Sequence, residues 1–318
     1  MKTATTYMQG VWQQDDRIAL SSRGLDPVVQ YIRDSTASGE FDVHRNLDID
    51  LDQPFRAGQY LILSNEGLSC GQLGGGTPDW LRAYQDNASR MVGNLAAHTQ
   101  NILITVRSPR PWIRSMHAQF LNEGGSGSAT AFVEARSEFL LQCLDLGHLV
   151  SCYRRYFNNV RVVPYEYLVK GAPEFWASLS DMFDMPVPDG DALTMNPSLS
   201  SQRLYLLSCL NGLSSHMCSV LEKSQTYTGP EQERLVDVGP GYAGWLHRRF
   251  VEHAGDEELA QISEWAQFAP VPPDFRGFSL DGGFEEVLEE NYLSVVESLT
   301  GDTELVNHYR AELKGTLG

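Results

Sequence analysis

Two short segments carry residue types that hold phosphate-like anions. Lys2-Thr3-Ala4-Thr5-Thr6 puts one ammonium, three hydroxyls and a small residue directly ahead of a helical pattern at 7–13. Backbone N–H groups at a helix N-terminus attract anionic oxygens, and an ammonium with hydroxyls adds directed donors. The second segment, Arg107-Ser108-Pro109-Arg110-Pro111-Trp112-Ile113-Arg114-Ser115, follows the apolar run NILITV and has the form R-x-P-x-x-x-x-S. Its prolines end a strand and start a helix, which sets Arg107 at the strand's carboxyl end, where α/β folds bind ligands. Ser115 falls about one and a half turns into that helix, so guanidinium and hydroxyl together suit a phosphate clamp. Glu66 lies two residues past the run YLILS, in Ser64-Asn65-Glu66-Gly67-Leu68-Ser69, and a carboxylate at a strand end suits a general base. His44 and His117 are the rival bases. The blander reading stays open for each: a solvated N-terminal segment, a surface arginine, a helix-facing serine, and a carboxylate bound to loop backbone.

The elements that would position these groups are short apolar runs between helical patterns. Buried strands are expected at 59–64, 101–106 and 160–164, and helices at about 79–97, 110–122, 133–157 and 173–184. Alternation of this kind implies a parallel sheet covered by helices. Past about residue 198 the strand signals stop, and helices are expected at about 199–222, 242–268 and 284–314. The expected fold is α/β, with a strand-bearing core over 1–198, which the resemblance described below makes nucleotide-binding, and a helical part of the same domain over 199–318. The Gly-rich stretches 71–77 and 123–128 read as flexible loops, either plain connectors or a mobile lid over a ligand cleft. Aromatic surface for a ligand is offered by Trp80, Tyr84, Trp245 and Phe250, although aromatics at helical spacing also build cores.

Composition narrows the function. A formal net charge of −17 disfavours nucleic acid as a partner, because neutralising phosphates needs a basic face. Local basic clusters are then informative: Arg107, Arg110 and Arg114, and Arg154, Arg155 and Arg161. The five cysteines are well separated and form no C-x-x-C, which argues against a disulfide framework and a zinc site and for buried thiols. No stretch of 18 or more apolar residues is present, and the first residues lack the apolar core of a secretory signal, so a cytoplasmic location is expected.

Four segments, in order over about residues 1–211, resemble the PAPS-dependent sulfotransferases of the bacterial type. Lys2 to Thr6 is similar to the K-[ST]-G-[ST]-T loop of that family, with Ala4 in place of the glycine. NILITV and Arg107 to Ser115 resemble its strand and 3′-phosphate segment. VRVVPYEYL at 160–168 resembles its strand and Y-E-x-L element, and Asn196 to Ser200 (NPSLS) its N-x-S-L-S segment. The resemblance implies a three-layer, P-loop-type sheet flanked by helices, with a largely helical C-terminal half. In that family an apolar strand ending near a glycine precedes the loop, and an upstream strand of that kind is the element the resemblance expects ahead of Lys2.

It further implies in-line transfer of a sulfuryl group from 3′-phosphoadenosine-5′-phosphosulfate (PAPS), without a metal, to a hydroxyl or amine of a carbohydrate or small-molecule acceptor. Lys2 would neutralise the leaving oxygen, Thr3 to Thr6 would cradle the 5′-phosphosulfate, Arg107 and Ser115 would hold the 3′-phosphate, and Glu66 would take the acceptor proton. Tyr165 and Glu166 are expected to close a strand end. Two rivals remain: a P-loop kinase, which would normally show a fuller G-x-x-x-x-G-K-[ST] loop, and a non-catalytic sulfotransferase-like protein that binds nucleotide without turnover.

Overall fold

A computed structural model describes residues 5–45, 49–52, 54–70, 77–189, 199–223, 239–275 and 277–315. In chain order the helices are α1 (Thr5–Trp12), α2 (Asp26–Ser38), α3 (Gly67–Cys70), α4 (Pro78–Gly93), α5 (Pro109–Asn122), α6 (Ala129–Cys143), α7 (Leu146–Arg154), α8 (Tyr165–Lys170) and α9 (Ala172–Phe183). They continue with α10 (Ser201–Lys223), α11 (Gly239–His253), α12 (Asp256–Trp265), α13 (Gly282–Leu288), α14 (Ser294–Thr300) and α15 (Thr303–Leu313). The strands are β1 (Ile18–Ser21), β2 (Tyr60–Leu63), β3 (Asn101–Val106) and β4 (Asn159–Pro164). The protein is thus a mostly helical α/β fold with small parallel sheets.

The strands pair in parallel twos. β1 runs beside β2 from Ile18↔Tyr60 to Ser21↔Leu63, and β3 beside β4 from Asn101↔Asn159 to Val106↔Pro164. Parallel partners need a crossover connection, supplied by α2 in the first pair and by α5, α6 and α7 in the second. The expected strands at 101–106 and 160–164 are present almost to the residue. The strand expected at 59–64 is present but open, with Tyr60 41% and Leu61 47% exposed. Among the described residues β2 pairs with β1 alone. β1 itself was not expected; its four residues are buried throughout.

Contacts divide the chain into two units. The first comprises 1–112, 137–196 and 281–318, and the second 113–136 and 197–280. One crossing, at 196/197, lies beside the boundary expected at 198, while the C-terminal stretch from Asp281 belongs with the strands.

In the first unit, side chains from both strand pairs meet in one hydrophobic cluster. Ile18 and Leu20 of β1, Val163 of β4, and the partly buried Ile62 of β2 and Leu103 of β3 join Met8, Val11 and Trp12 of α1 and Phe175, Trp176 and Leu179 of α9. The alternation of Ile18 and Leu20 is the strand period, and Met8, Val11 and Trp12 share one helical face. Burying each such large apolar side chain contributes about 1.5–3 kcal/mol. The single helix expected over 133–157 is two: α6 ends at Cys143, and Asp145 caps α7 by accepting from the His148 N–H.

The second unit packs helices on helices. Leu121 of α5, Leu206 and Leu207 of α10, Val251 and Ala254 of α11 and Leu259 of α12 form its core. The helix expected over 242–268 breaks at Gly255, and the Arg203 guanidinium donates to the Val251 and Ala254 carbonyls that the break frees. The stretch 123–128, expected as a flexible loop, is pinned. Asn211 Nδ2 donates to Leu121 O and Gly125 O, each at 2.8 Å, and Gly127 N–H donates to Ser208 Oγ at 2.8 Å. A Cβ on Gly244 would stand 2.6 Å from Gly124 Cα, so the backbones approach where only glycine fits.

Candidate functional site

The carboxyl ends of strands in the first unit carry two of the candidate groups, Arg107 and Glu66. At β3 and β4 they form a dense buried network. Tyr292 donates through its hydroxyl to Arg107 O at 2.6 Å and accepts from the Arg107 N–H at 3.1 Å. Ser108 N–H donates to Glu166 Oε1 at 3.1 Å, the Tyr309 hydroxyl donates to Glu166 Oε2, and Ser108 Oγ donates to Glu312 Oε2. Burial, and for Tyr309 the nearby Glu166 charge, push both phenols far above the usual tyrosine range. They therefore act as neutral donors. On the far side of α8, Tyr167 donates to Asp302 at 2.9 Å, and burial with that bond raises its phenol to about 12.

These bonds fix the Arg107 backbone and leave its side chain for other work. The guanidinium lies over the Tyr165 ring, 5.2 Å from the centroid, and among the described residues no hydrogen bond or ion pair engages it. A half-buried, stacked guanidinium holding five N–H donors is chemically an anion receptor. Arg110 is used differently: it donates to Leu313 O at 3.2 Å, at the C-terminus of α15. Ser115 is half-buried on α5 within the second unit, and Arg114 is exposed there.

Helix α1 connects the two strand ends. Thr5 and Thr6 are its first residues, and Lys2, Thr3 and Ala4 lie outside the described residues. Tyr7 packs in the same cluster as Tyr165, the ring beneath Arg107; burial, and then proximity to Tyr165, raise the Tyr7 phenol. Two residues on, and so towards the opposite side of the helix, Gln9 Nε2 donates to Ser64 O at 3.0 Å and to Ser64 Oγ at 3.2 Å, at the carboxyl end of β2. α1 thus touches Tyr165, the ring beneath Arg107, through Tyr7 and Ser64, two residues before Glu66, through Gln9.

Glu66 sits at the turn into α3, its carbonyl accepting from Ser69 N–H and Oγ at 3.2 and 2.9 Å. Its carboxylate is half-buried and has no partner among the described residues. The flanking residues hold the turn. Asn65 Nδ2 donates to Ser22 O at 3.2 Å and Asp26 Oδ1 at 2.8 Å, while its Oδ1 accepts from Gly67 N–H at 2.8 Å. A Cβ on Gly67 would lie 2.6 Å from Val29 Cγ1, so the chain turns there against α2 only with glycine.

The remaining candidates have other surroundings. His44 is exposed, its N–H bonded to Asp42. His117 is buried in the second unit, Nε2 3.0 Å from Gly127 O and ringed by Phe132 and Phe275. Tyr84 is fully buried against Trp80, Phe250 joins the second core, and Trp245 is exposed. The second unit also holds His247 between Asn211 Oδ1 at 2.9 Å and Ser214 Oγ at 3.4 Å, a polar clip joining α10 to α11. Tyr292, Tyr309 and Glu312 were not singled out in the sequence; nothing local marks them, because their partners lie near residues 107 and 166. No helix among the described residues is long and apolar enough to cross a membrane. In comparisons with protein-family models, curated proteins and solved structures, nothing matches this chain.

Proposed function

We propose that the chain is a PAPS-dependent sulfotransferase, acting on a hydroxyl or amine of a carbohydrate or small-molecule acceptor. The observation that carries this reading is α1 touching two strand ends, with a stacked Arg107 guanidinium near one and a Glu66 carboxylate near the other, each uncommitted among the described residues. The finer fold reading, a three-layer P-loop-type sheet, accompanies it. Parallel strand pairs under α1 and α9, with candidate groups at their carboxyl ends, support that reading. In this scheme Arg107 receives the 3′-phosphate, and the segment Lys2 to Thr6 receives the 5′-phosphosulfate. Lys2 stabilises charge on the leaving phosphate oxygen as the sulfur–oxygen bond to the donor breaks. Glu66 takes the acceptor's proton as the new bond forms.

Thermal shifts test the nucleotide part. Adenosine 3′,5′-bisphosphate should stabilise the protein by about 2.7 kcal/mol at a hundredfold excess over its Kd, and ATP by less. Arg107→Ala should weaken bisphosphate binding roughly 10- to 100-fold through loss of a charge-assisted contact. Stabilisation by ATP alone would favour a kinase. Transfer of labelled sulfate from PAPS over an acceptor panel tests the chemistry. Glu66→Gln should abolish that transfer while leaving bisphosphate binding intact, and full activity in this variant removes Glu66 from the mechanism.

A further inference from the structure

Away from the strand ends, α4 and α7 of the first unit bring together a carboxylate, an imidazole and a thiol. His148 and Cys152 are one turn apart on α7 and therefore share a face. Asp86 of α4 meets them there: Cys152 Sγ is 3.2 Å from Asp86 Oδ1 and 3.4 Å from His148 Nε2, and all three ligand atoms lie within 4.8 Å of one another. Tetrahedral zinc, with bonds of about 2.0–2.3 Å to oxygen, nitrogen and sulfur, sets its ligand atoms about 3.5 Å apart. Two of the three separations already lie close to that value. Cys152 is fully buried while His148 and Asp86 are half-exposed, so an ion here has a protein floor and a solvent-facing fourth position.

We propose that Asp86, His148 and Cys152 form a zinc site with three protein ligands and water as the fourth. The thiolate and imidazole select a borderline-soft ion over magnesium or calcium, and the carboxylate adds charge neutralisation. Two groups oppose binding. Arg155 Nη1 stands 2.7 Å from Asp86 Oδ1 and competes for that oxygen. The Cys152 thiol donates to the same oxygen in the metal-free protein, so its proton leaves to solvent when the ion binds. The second nearby carboxylate, Asp145, is committed to the His148 N–H at 2.9 Å and to Arg82 at 3.2 Å. Cysteine spacing alone points away from zinc, because the other ligands are a histidine on the next turn and an aspartate on another helix.

Cobalt(II) titration of the chelator-treated full chain tests the site. One equivalent should bring up a thiolate-to-cobalt charge-transfer band, and zinc should erase it by displacement. Cys152→Ser should lose the band. Asp86→Asn, a half-exposed change that keeps shape, should weaken cobalt binding by more than the roughly 10- to 100-fold that an outer-shell partner is worth. Arg155→Gln should tighten it, by up to roughly fivefold. Absence of the band in the parent protein overturns the proposal, as does its persistence in folded Cys152→Ser, unchanged affinity in Asp86→Asn, or weaker binding in Arg155→Gln.

Discussion

The two parallel strand pairs of the first unit are finished in opposite ways. β3 and β4 are sealed at their carboxyl ends by Tyr292, Tyr309 and Glu312 from the C-terminal stretch, which satisfy Arg107 O, Ser108 and Glu166. In the other pair the amino end of β1 is the fastened one. There the Asp15 carboxylate accepts from Arg17 N–H, Nε and Nη2 at 2.9, 2.9 and 2.7 Å and from Asp189 N–H at 3.1 Å. At the carboxyl ends of this pair Ser21 and Ser22 bond to Asp50 O and the Asp52 carboxylate, and the half-exposed Ser64, Asn65 and Glu66 beside them are bridged by Gln9 and Asn65. A sealed end holds one side chain, Arg107, in a fixed place. An open end leaves Glu66 room to meet an incoming molecule. In the proposed function this sets a rigid receptor beside an adaptable entrance, and the energetics of the two ends should differ accordingly.

The largest expected effect is at the sealed end. Tyr292 is fully buried and brackets the Arg107 backbone from both sides. Tyr292→Ala should cost about 3–5 kcal/mol, read from the denaturation midpoint, through the cavity and two lost bonds. Tyr292→Phe keeps the ring and should cost about 1–3 kcal/mol, because the buried Arg107 N–H and carbonyl lose their partner. If Tyr292→Phe is neutral, the seal is only packing and the comparison fails.

The next effect is at the amino end of β1 and depends on pH. The side-chain hydrogen bonds from Arg17 lead the causes that hold the Asp15 carboxyl down from 3.8 to about 2. A depressed carboxyl pKa stabilises the fold above the unfolded value and loses that contribution as pH falls through the folded one. Stability should therefore be flat with respect to this group above pH about 4 and decline as pH drops towards 2. Asp15→Asn should remove part of that decline in an acid denaturation series. A variant that titrates like the parent would show that Asp15 does not fasten the start of β1.

The difference between the ends was only partly legible in the sequence. Arg107 at a strand end could be read because prolines punctuate its neighbourhood, and the runs at 101–106 and 160–164 are long and β-branched enough to stand out. β1 is four residues long, offers no polar alternation, and finds its partner some forty residues away, so no local pattern marks it. The seal was invisible for the same reason, since Tyr292 meets Arg107 across 185 positions and Glu312 meets Ser108 across 204. Helical periodicity correctly placed helices near the C-terminus, but a helix pattern says which face is apolar and not which strand end it closes. The loop at 123–128 shows the converse: Gly and Ser composition suggests freedom, and two side chains of α10 remove it.

The smallest expected effect on stability is at the open end. Asn65 makes three hydrogen bonds, to Ser22 O past β1, to Asp26 at the start of α2 and to Gly67 N–H, which together aim the turn that carries Glu66. Because these groups are half-exposed, water replaces much of what Asn65→Ala removes, and the loss should be about 1 kcal/mol in a denaturant titration. Turnover should respond more strongly. A base displaced by an ångström loses rate out of proportion to the stability lost, so sulfate transfer should fall well beyond tenfold in kcat with bisphosphate affinity unchanged. Asp26→Asn, which keeps the shape of one Asn65 partner, should give a weaker version of the same split. If instead Asn65→Ala destabilises the fold as much as Tyr292→Phe does and leaves kcat alone, the open end is a second seal, and Glu66 belongs to its scaffolding.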